Sequence, residues 1–300
     1  MINQEITIVE CPRDAIQGIE NFIPTEKKIS YYTELLKCGF HTLDIGSFVN
    51  PKAVPQLSDT EEILNSLATI KGENKFLVIV ANSRGAQKAS EFAAVDYIGF
   101  PLSISETFQQ RNTNKSISEA ISELDEIRNI ANLNSKELVV YLSMAFGNPY
   151  GDHYTTELVV EYVNQMSDAG INTISLADTT GLANINDIKW LYSELIPAFP
   201  KITFGAHFHA DPNDWIEKIE IAYQSGCRRF DSAILGYGGC PFAKNELLGN
   251  IPTEFMVQHF QKLGFAKQIL ISNNLIQLAE ETYNFKPIGF NSLFVILKVQ

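Results

Sequence analysis

Residues 138–177 read LVVYLSMAFGNPYGDHYTTELVVEYVNQMSDAGINTISLA. Short apolar runs begin and end this stretch, and between them lies an amphipathic segment that is followed by Gly170. Near-continuous apolar runs are typical of strands that are buried on both faces of a parallel sheet. A glycine directly after a helix suits the position that ends it. The stretch therefore predicts a strand–helix–strand unit with parallel strands.

The same alternation extends along the chain in both directions. Eight apolar runs predict eight strands, at residues 6–11, 42–48, 76–81, 97–102, 138–144, 173–177, 202–208 and 229–234. Amphipathic segments predict helices at residues 25–38, 116–132, 155–169, 184–198 and 214–225. Eight strands in 300 residues favour an α/β fold that closes as a TIM (β/α)8 barrel over an open doubly wound sheet.

No Pro/Gly/Ser-rich linker divides the chain, so we expect one catalytic barrel domain over residues 1–300. Within it, residues 235–300 are expected to form a mobile Gly-rich loop and C-terminal helices. Helical patterns at residues 253–263 and 266–283 and an apolar run at 293–299 make up this last part.

Composition narrows the class of protein. The net charge of −12 disfavours binding to nucleic acid or to an anionic membrane. The four cysteines form no CxxC pair, which favours a reducing compartment over a disulfide framework. No signal segment and no membrane-spanning run is recognisable, so we expect a cytoplasmic protein.

Chemistry-bearing side chains collect where the predicted strands end, which is where the active site of a parallel barrel lies. Arg13 and Asp14 follow the first strand, where they form either a functional pair or a local ion pair in a turn. His207 and His209 end the seventh strand, and residues two apart point to the same face of a strand. Both imidazoles can therefore share one divalent metal ion.

Three further positions have a functional and a structural interpretation. Asp44 lies inside the second strand, where a carboxylate is costly unless it is bonded or functional. Asp178 ends the sixth strand and could contact a substrate hydroxyl, orient a metal ligand or cap the helix that follows. Cys240 lies in the Gly-rich segment 236–241, as a proton donor or acceptor on a loop that opens and closes, or as a structural cysteine.

Motifs for several other activities are missing from the sequence. No GxGxxG follows the first strand, no GxxxxGK[ST] phosphate loop occurs, and no GxSxG elbow is present. The sequence therefore disfavours dinucleotide binding, nucleoside triphosphate hydrolysis and serine hydrolase chemistry.

Four segments, in order along the chain, resemble the 3-hydroxy-3-methylglutaryl-CoA lyase family. SFVNPKAVPQ at residues 47–56 is similar to that family's SFVSPKxVPQ, and FGNPY at 146–150 to its FGCPY loop. ISLADT at 174–179 is similar to its ISLxDT strand, and GGCPFA at 238–243 to its GGCPYA loop. The Arg-Asp and His-x-His pairs are shared with the wider group of metal-dependent barrels that includes isopropylmalate synthase.

The resemblance implies roles for individual residues. It implies that the metal ligands are Asp14, His207, His209 and Asn250. It implies that Arg13 stabilises an enolate, that Cys240 acts from the loop and that Asp178 is an acidic residue of the active site. Asp44 or His207 is the expected base, and Gln17, Ser47 and Thr179 are expected to contact the substrate.

The chain also departs from the family pattern. Cys11 and Ala15 stand where the family usually has Gly, and Ile19 stands where it has Glu. Asp44 stands where the family has Glu, so this carboxylate is one methylene shorter. The loop from Cys240 to Asn250 is one residue longer. These changes put the identity of the acyl-CoA in question, since they lie near the expected substrate contacts.

The resemblance implies a carbon–carbon lyase that uses Mg²⁺ or Mn²⁺. It would cleave 3-hydroxy-3-methylglutaryl-CoA, or a related 3-hydroxyacyl-CoA, to acetyl-CoA and acetoacetate by metal-assisted retro-Claisen chemistry. A small-molecule acyl-CoA thioester is the expected partner, and a homodimer the expected assembly. The alternatives are a Claisen-type synthase that joins acetyl-CoA to a 2-oxo acid, and an inactive barrel that acts as a binding protein.

Overall fold

The computed structural model describes residues 5–211, 213–238 and 248–283. Eight parallel strands form one sheet in the order β6-β5-β4-β3-β2-β1-β8-β7, and pairing of β6 with β7 closes it. The strands are β1 (Thr7–Glu10), β2 (Thr42–Ser47), β3 (Lys75–Ile79), β4 (Val95–Ser103), β5 (Glu137–Ser143), β6 (Thr173–Asp178), β7 (Thr203–Ala210) and β8 (Arg229–Ser232). The predicted TIM barrel is confirmed, with all eight strands close to their expected positions.

Helices surround the barrel. They are α1 (Pro12–Ile16), α2 (Thr25–Leu35), α3 (Thr60–Leu67), α4 (Ser83–Ser90), α5 (Glu106–Thr113), α6 (Ile117–Leu133), α7 (Thr156–Asp168), α8 (Ile185–Ala198), α9 (Trp215–Gln224), α10 (Thr253–Lys262) and α11 (Asn273–Tyr283). Single 3-10 turns lie at Pro55–Leu57 and Ile234–Gly236.

The predicted helices are present, but the sequence analysis missed several others. The helices α3, α4 and α5 have eight residues each, which is too short for a clear periodic pattern. The helix expected at residues 266–283 begins only at Asn273. Arg13 and Asp14 lie in α1, which has Pro12 at its first position, and so they follow the strand as a helical turn.

The interior of the barrel contains buried charged side chains, whereas the layer between strands and helices is apolar. One large apolar core fills the space between strands and helices, whereas a small cluster of Leu77, Val139 and Tyr141 lies apart from it. Two ion pairs are buried here: Arg13 of α1 pairs with Asp44 of β2, and Arg229 pairs with Asp231 on the same strand, β8. Such charges are tolerated away from water only when they are paired.

A further short strand lies at the barrel mouth. The two-residue strand β9 (Gly249–Asn250) pairs antiparallel with the end of β7, and Asn250 lies opposite His209. Sequence analysis did not predict this strand. Among the described helices, none is long and apolar enough to cross a membrane.

Candidate active site

Three side chains predicted as metal ligands converge at the carboxyl ends of the strands. Asp14, His207 and His209 each offer one ligand atom, and these atoms all lie within 4.8 Å of one another. Asp14 comes from the helical turn after β1, and the two histidines come from β7. One carboxylate and two imidazoles form a donor set that suits several divalent metal ions.

The imidazole orientations fit a metal site. His209 Nδ1 lies 2.9 Å from the carbonyl oxygen of Thr179, which requires the proton to be on Nδ1. His209 Nε2 is buried and has no hydrogen-bond partner among the described residues. A buried lone pair without a partner is unfavourable unless a cation uses it. The residues therefore fit a bound ion.

The charges around the three groups act in different directions. Burial favours the neutral form of Asp14, but the charge of Arg13 and a hydrogen bond from Asn250 help to outweigh this, and the pKa of its carboxyl lies below its usual value. Burial, together with neighbouring His207, lowers the pKa of His209 to about 4, so His209 is neutral and can donate a lone pair. The pKa of His207 is raised in spite of burial, because its ring contacts the Asp231 carboxylate.

Arg13 is fixed in place by carboxylates. Its Nε lies 3.0 and 3.2 Å from the two oxygens of Asp44, and its Nη2 donates to Asp44 Oδ2 at 2.6 Å. Its Nη1 donates to Asp14 at 3.3 Å and to Gln17 at 2.9 Å. A guanidinium has five N–H donors. One N–H of Nη2 therefore has no partner among the described residues, and Arg13 lines the cavity at the barrel mouth.

Gln17 and Asn250 complete the surroundings of Asp14. Gln17 Nε2 donates to Asp14 Oδ1 at 2.5 Å, and Asn250 Nδ2 donates to Asp14 Oδ2 at 2.6 Å. Asn250 Nδ2 also donates to the carbonyl oxygen of Tyr237 at 2.8 Å. Coordination by Asn250 would use its amide oxygen, so its role as a fourth ligand stays a prediction.

A cavity of about 570 Å³ opens over the three converging side chains. Gln17, Ser47 and Thr179, the expected substrate contacts, all line it. Ser47 Oγ donates to the carbonyl oxygen of Ile79, and Thr179 Oγ1 accepts a hydrogen bond from the Met144 amide. The cavity rim includes Arg111 and Lys115, so cations flank an opening in a chain that is acidic as a whole.

Of the predicted site residues that the structure describes, three do not line this cavity: Asp44, Asp178 and Asn250. Asp178 is buried and accepts hydrogen bonds from the Ala183 amide and the Lys218 ammonium, each at 3.1 Å. The Ala183 amide lies in the segment before α8, whose N-cap is Asn184, so Asp178 does not cap that helix, and its catalytic role stays a prediction. Cys240 lies outside the described residues, and so its role also stays a prediction.

The chain at Gly238 passes directly beside the site. Gly238 has a φ of +88°, and a Cβ atom there would lie 2.6 Å from the carbonyl oxygen of Asp14 and 2.8 Å from Asn250 Nδ2. Only glycine combines this backbone conformation with so close an approach. The glycine noted in the sequence is therefore required by the position of the chain.

Sequence analysis missed Asp231 on β8, whose carboxylate contacts His207 at 3.3 Å. A signal for it was present. Asp231 lies inside a predicted apolar strand, two residues from Arg229, and so both side chains point to the same face. The reasoning that singled out Asp44 applies equally to this pair.

Residues 6–281 match the family model described as HMGL-like. A hydroxymethylglutaryl-CoA lyase of Bacillus subtilis is 32% identical over 273 residues, 91% of this chain and 90% of that protein. An (R)-citramalyl-CoA lyase of Chloroflexus aurantiacus is 30% identical over 280 residues, 90% of this chain and 87% of that protein. The structure of an HMG-CoA lyase from Acinetobacter baumannii, in complex with coenzyme A and 3-methylmalate, matches with a TM-score of 0.86 and 30% identity; the match covers 97% of this chain and 94% of that chain.

Proposed function

The chain belongs to the HMGL-like family, and we propose that it cleaves a carbon–carbon bond in a 3-hydroxyacyl-CoA thioester. The substrate that the family resemblance favours is 3-hydroxy-3-methylglutaryl-CoA, which yields acetyl-CoA and acetoacetate. One observation carries the proposal: Asp14, His207 and His209 converge beside the Arg13 guanidinium in a cavity at the barrel mouth.

We propose that Asp14, His207 and His209 hold Mg²⁺ or Mn²⁺, with Asn250 as a further ligand. Mixed oxygen and nitrogen donors suit such ions, whereas structural zinc sites are usually rich in cysteine. When bound, the ion would supply Lewis acidity to the oxygen atoms of the substrate. The buried lone pair of His209 supports this assignment, as does the lowered pKa of Asp14, which keeps the carboxylate charged.

Arg13 is positioned to take up the charge that develops during cleavage. Loss of the hydroxyl proton and rupture of the bond between C2 and C3 leave a ketone and a thioester enolate. One N–H of Arg13 Nη2 has no partner in the part of the chain that the structure describes and is available to the enolate oxygen, and the pairing with Asp44 orients it before the reaction. Preorganised donors of this kind stabilise a transition state by about 3–4 kcal/mol. Protonation of the enolate carbon completes acetyl-CoA, and Cys240 remains the predicted donor.

The contacts bear on the two residues expected as the base. Both oxygens of Asp44 accept hydrogen bonds from Arg13, and Asp44 is not among the residues that line the cavity. His207 lines the cavity, but an imidazole that gives its Nε2 lone pair to a cation cannot take a proton there. The geometry therefore favours Asp44 as the orienting partner of Arg13 and His207 as a ligand.

The experiment that tests this function incubates the purified chain with Mn²⁺ or Mg²⁺ and separate 3-hydroxyacyl-CoA thioesters, and identifies the products by mass. Acetoacetate with acetyl-CoA from 3-hydroxy-3-methylglutaryl-CoA is the expected result. Citramalyl-CoA has one methylene less between its carboxylate and its carbinol carbon, and would yield pyruvate with acetyl-CoA. If only citramalyl-CoA is cleaved, the proposed reaction class stands, but the substrate is citramalyl-CoA rather than 3-hydroxy-3-methylglutaryl-CoA.

Other outcomes would replace the proposal. Release of free coenzyme A from acetyl-CoA and a 2-oxo acid would identify a synthase. No product with any thioester, together with no metal binding, would identify an inactive barrel. The homodimer and the cytoplasmic location expected from the sequence remain predictions, which size-exclusion chromatography with light scattering and cell fractionation would test.

A further inference from the structure

His207 and His209 are held by acceptors of different charge. His209 Nδ1 faces a backbone carbonyl oxygen, that of Thr179. His207 Nδ1 faces a carboxylate oxygen, Asp231 Oδ2, at 3.3 Å. A carboxylate can only accept a hydrogen bond, so the contact places the proton of neutral His207 on Nδ1 and leaves the Nε2 lone pair exposed.

Asp231 is itself embedded in a network with no access to water. Its side chain is completely buried, and Arg229 Nη1 donates to Oδ1 at 2.8 Å. Ser175 Oγ donates to Oδ2 at 3.2 Å, the same oxygen that contacts His207. Arg229 balances the charge of the carboxylate, and Ser175 limits its rotation. A buried carboxylate with these partners has a fixed position, and so it can fix the orientation of the imidazole ring that bonds to it.

The backbone of the barrel is adapted to this network. His207 on β7 lies opposite Asp231 on β8 in the parallel register. Two residues earlier on β7, a Cβ atom at Gly205 would lie 2.8 Å from both Arg229 Nη1 and Ser175 Oγ. Any larger residue at position 205 would displace the groups that hold Asp231. The rings of Tyr141 and His207 also pack against each other in a T-shaped arrangement, with 5.6 Å between their centroids.

We propose that Asp231 is a positioning residue, which fixes the Nε2 lone pair of His207 toward the cavity and so prepares it to bind a divalent metal ion. Arg229 and Ser175 hold Asp231 for this purpose. Carboxylates that bond to the far nitrogen of a ligand histidine commonly strengthen metal binding. The inference rests on the metal site of the proposed function, and so its test measures tautomer and metal affinity separately from turnover.

The test compares the native chain with Asp231→Asn in two measurements. Isothermal titration with MnCl₂ should show an affinity about 10–100-fold weaker in the variant. Two-dimensional ¹H–¹⁵N NMR of the metal-free proteins, with the His207 signals assigned by a His207→Gln spectrum, should show protonated Nδ1 in the native chain. The Asn variant should show a mixture of tautomers, because an amide can either accept or donate a hydrogen bond.

Loss of Asp231 alone leaves the Arg229 charge buried without a partner, which can unfold a protein. The double variant Arg229→Met with Asp231→Asn removes both charges together. It should show the same weaker Mn²⁺ affinity and the same mixture of His207 tautomers as Asp231→Asn. Ser103→Ala is the matched control, since this buried barrel hydroxyl bonds to Ser143 and Ser105 rather than to Asp231 or His207. It should keep the native tautomer and an affinity near that of the native chain.

The outcomes distinguish this inference from the proposed function. A native His207 tautomer in both Asp231 variants would overturn the positioning role, whether or not the chain binds metal. Unchanged Mn²⁺ affinity in those variants would overturn it as well. If the native chain binds no Mn²⁺, the metal site of the proposed function fails, whereas the spectra of the metal-free proteins still decide whether Asp231 sets the tautomer.

Discussion

At the scale of single residues, Arg13 shows how a charged group can be both buried and available. Burial opposes its charge, but Asp44 and Asp14 outweigh this and raise the pKa of the guanidinium, so Arg13 stays protonated at any pH of interest. Four of its five N–H groups are used to hold it. Its position is therefore set by the protein before a substrate arrives, as electrostatic stabilisation of an enolate requires.

We expect Arg13→Met to lower kcat by about 10²–10³-fold, because the enolate loses its preorganised donor. Mn²⁺ affinity measured by titration should remain near the native value, since Arg13 is not a ligand. Arg13→Lys is the matched control, because it keeps the charge but loses the planar guanidinium that pairs with Asp44. Its kcat should lie between that of the native chain and that of Arg13→Met. Near-native turnover of the Met variant would show that the enolate assignment is wrong.

At the scale of elements, Glu10 ties three segments together. It lies at the end of β1, accepts a hydrogen bond from the Ile234 amide at 2.9 Å and another from Thr253 Oγ1 at 2.5 Å. Ile234 follows β8, and Thr253 begins α10. These bonds hold the chain on both sides of residues 235–252 against the end of β1. Complete burial raises the pKa of Glu10 to about 8.

This raised pKa makes the stability of the barrel depend on pH. Between the ordinary pKa of a glutamate, about 4.5, and about 8, only the folded state keeps the proton on Glu10. Folding then takes up a proton, so this contribution is complete below pH 4.5 and is lost as the pH rises through 8. Glu10→Gln cannot titrate, and its amide can serve both hydrogen bonds. Relative to the native chain it should gain stability, by up to several kcal/mol, between pH 5 and 8.5.

Urea unfolding at pH 5, 7 and 8.5 measures this gain. The exposed Glu5→Gln is the matched control, since it makes the same change of carboxylate to amide on the surface. A pH-independent difference for Glu10→Gln would mean that Glu10 is already charged in the folded state.

At the scale of the whole molecule, the proposed metal site joins distant parts of the chain. Asp14 follows the first strand, whereas His207 and His209 lie on the seventh, so a bound ion links segments that separate on unfolding. Mn²⁺ at 100 times its dissociation constant should stabilise the fold by about 2.7 kcal/mol, and a chelator should reverse this. The measurement is the melting temperature with and without Mn²⁺.

Two histidine variants test where the ion acts. His209→Ala should lose the Mn²⁺-dependent rise in melting temperature. His41→Ala should keep it, because His41 precedes β2 and lies at the opposite end of the barrel. An equal rise in both variants would place the stabilising ion elsewhere, and no rise in the native chain would favour the inactive barrel.

The amino-acid sequence by itself determined the barrel and the pair of histidines. Strand–helix alternation and the two-residue repeat of a strand are patterns of residues that are close in sequence. They can therefore be recognised without a three-dimensional structure. The motif resemblance identified Asp14 and Arg13 in the same way, because each motif is a short run of consecutive residues.

Only the tertiary structure decided which charges meet. Arg13 pairs with Asp44 because β1 and β2 are neighbours, and Asp231 contacts His207 because β7 and β8 pair in one particular register. Asp178 ends the same strand that carries Ser175, but its carboxylate bonds to Lys218 on α9. These outcomes depend on distances of a few ångströms between residues far apart in the chain, and Coulomb and hydrogen-bond energies change steeply over such distances.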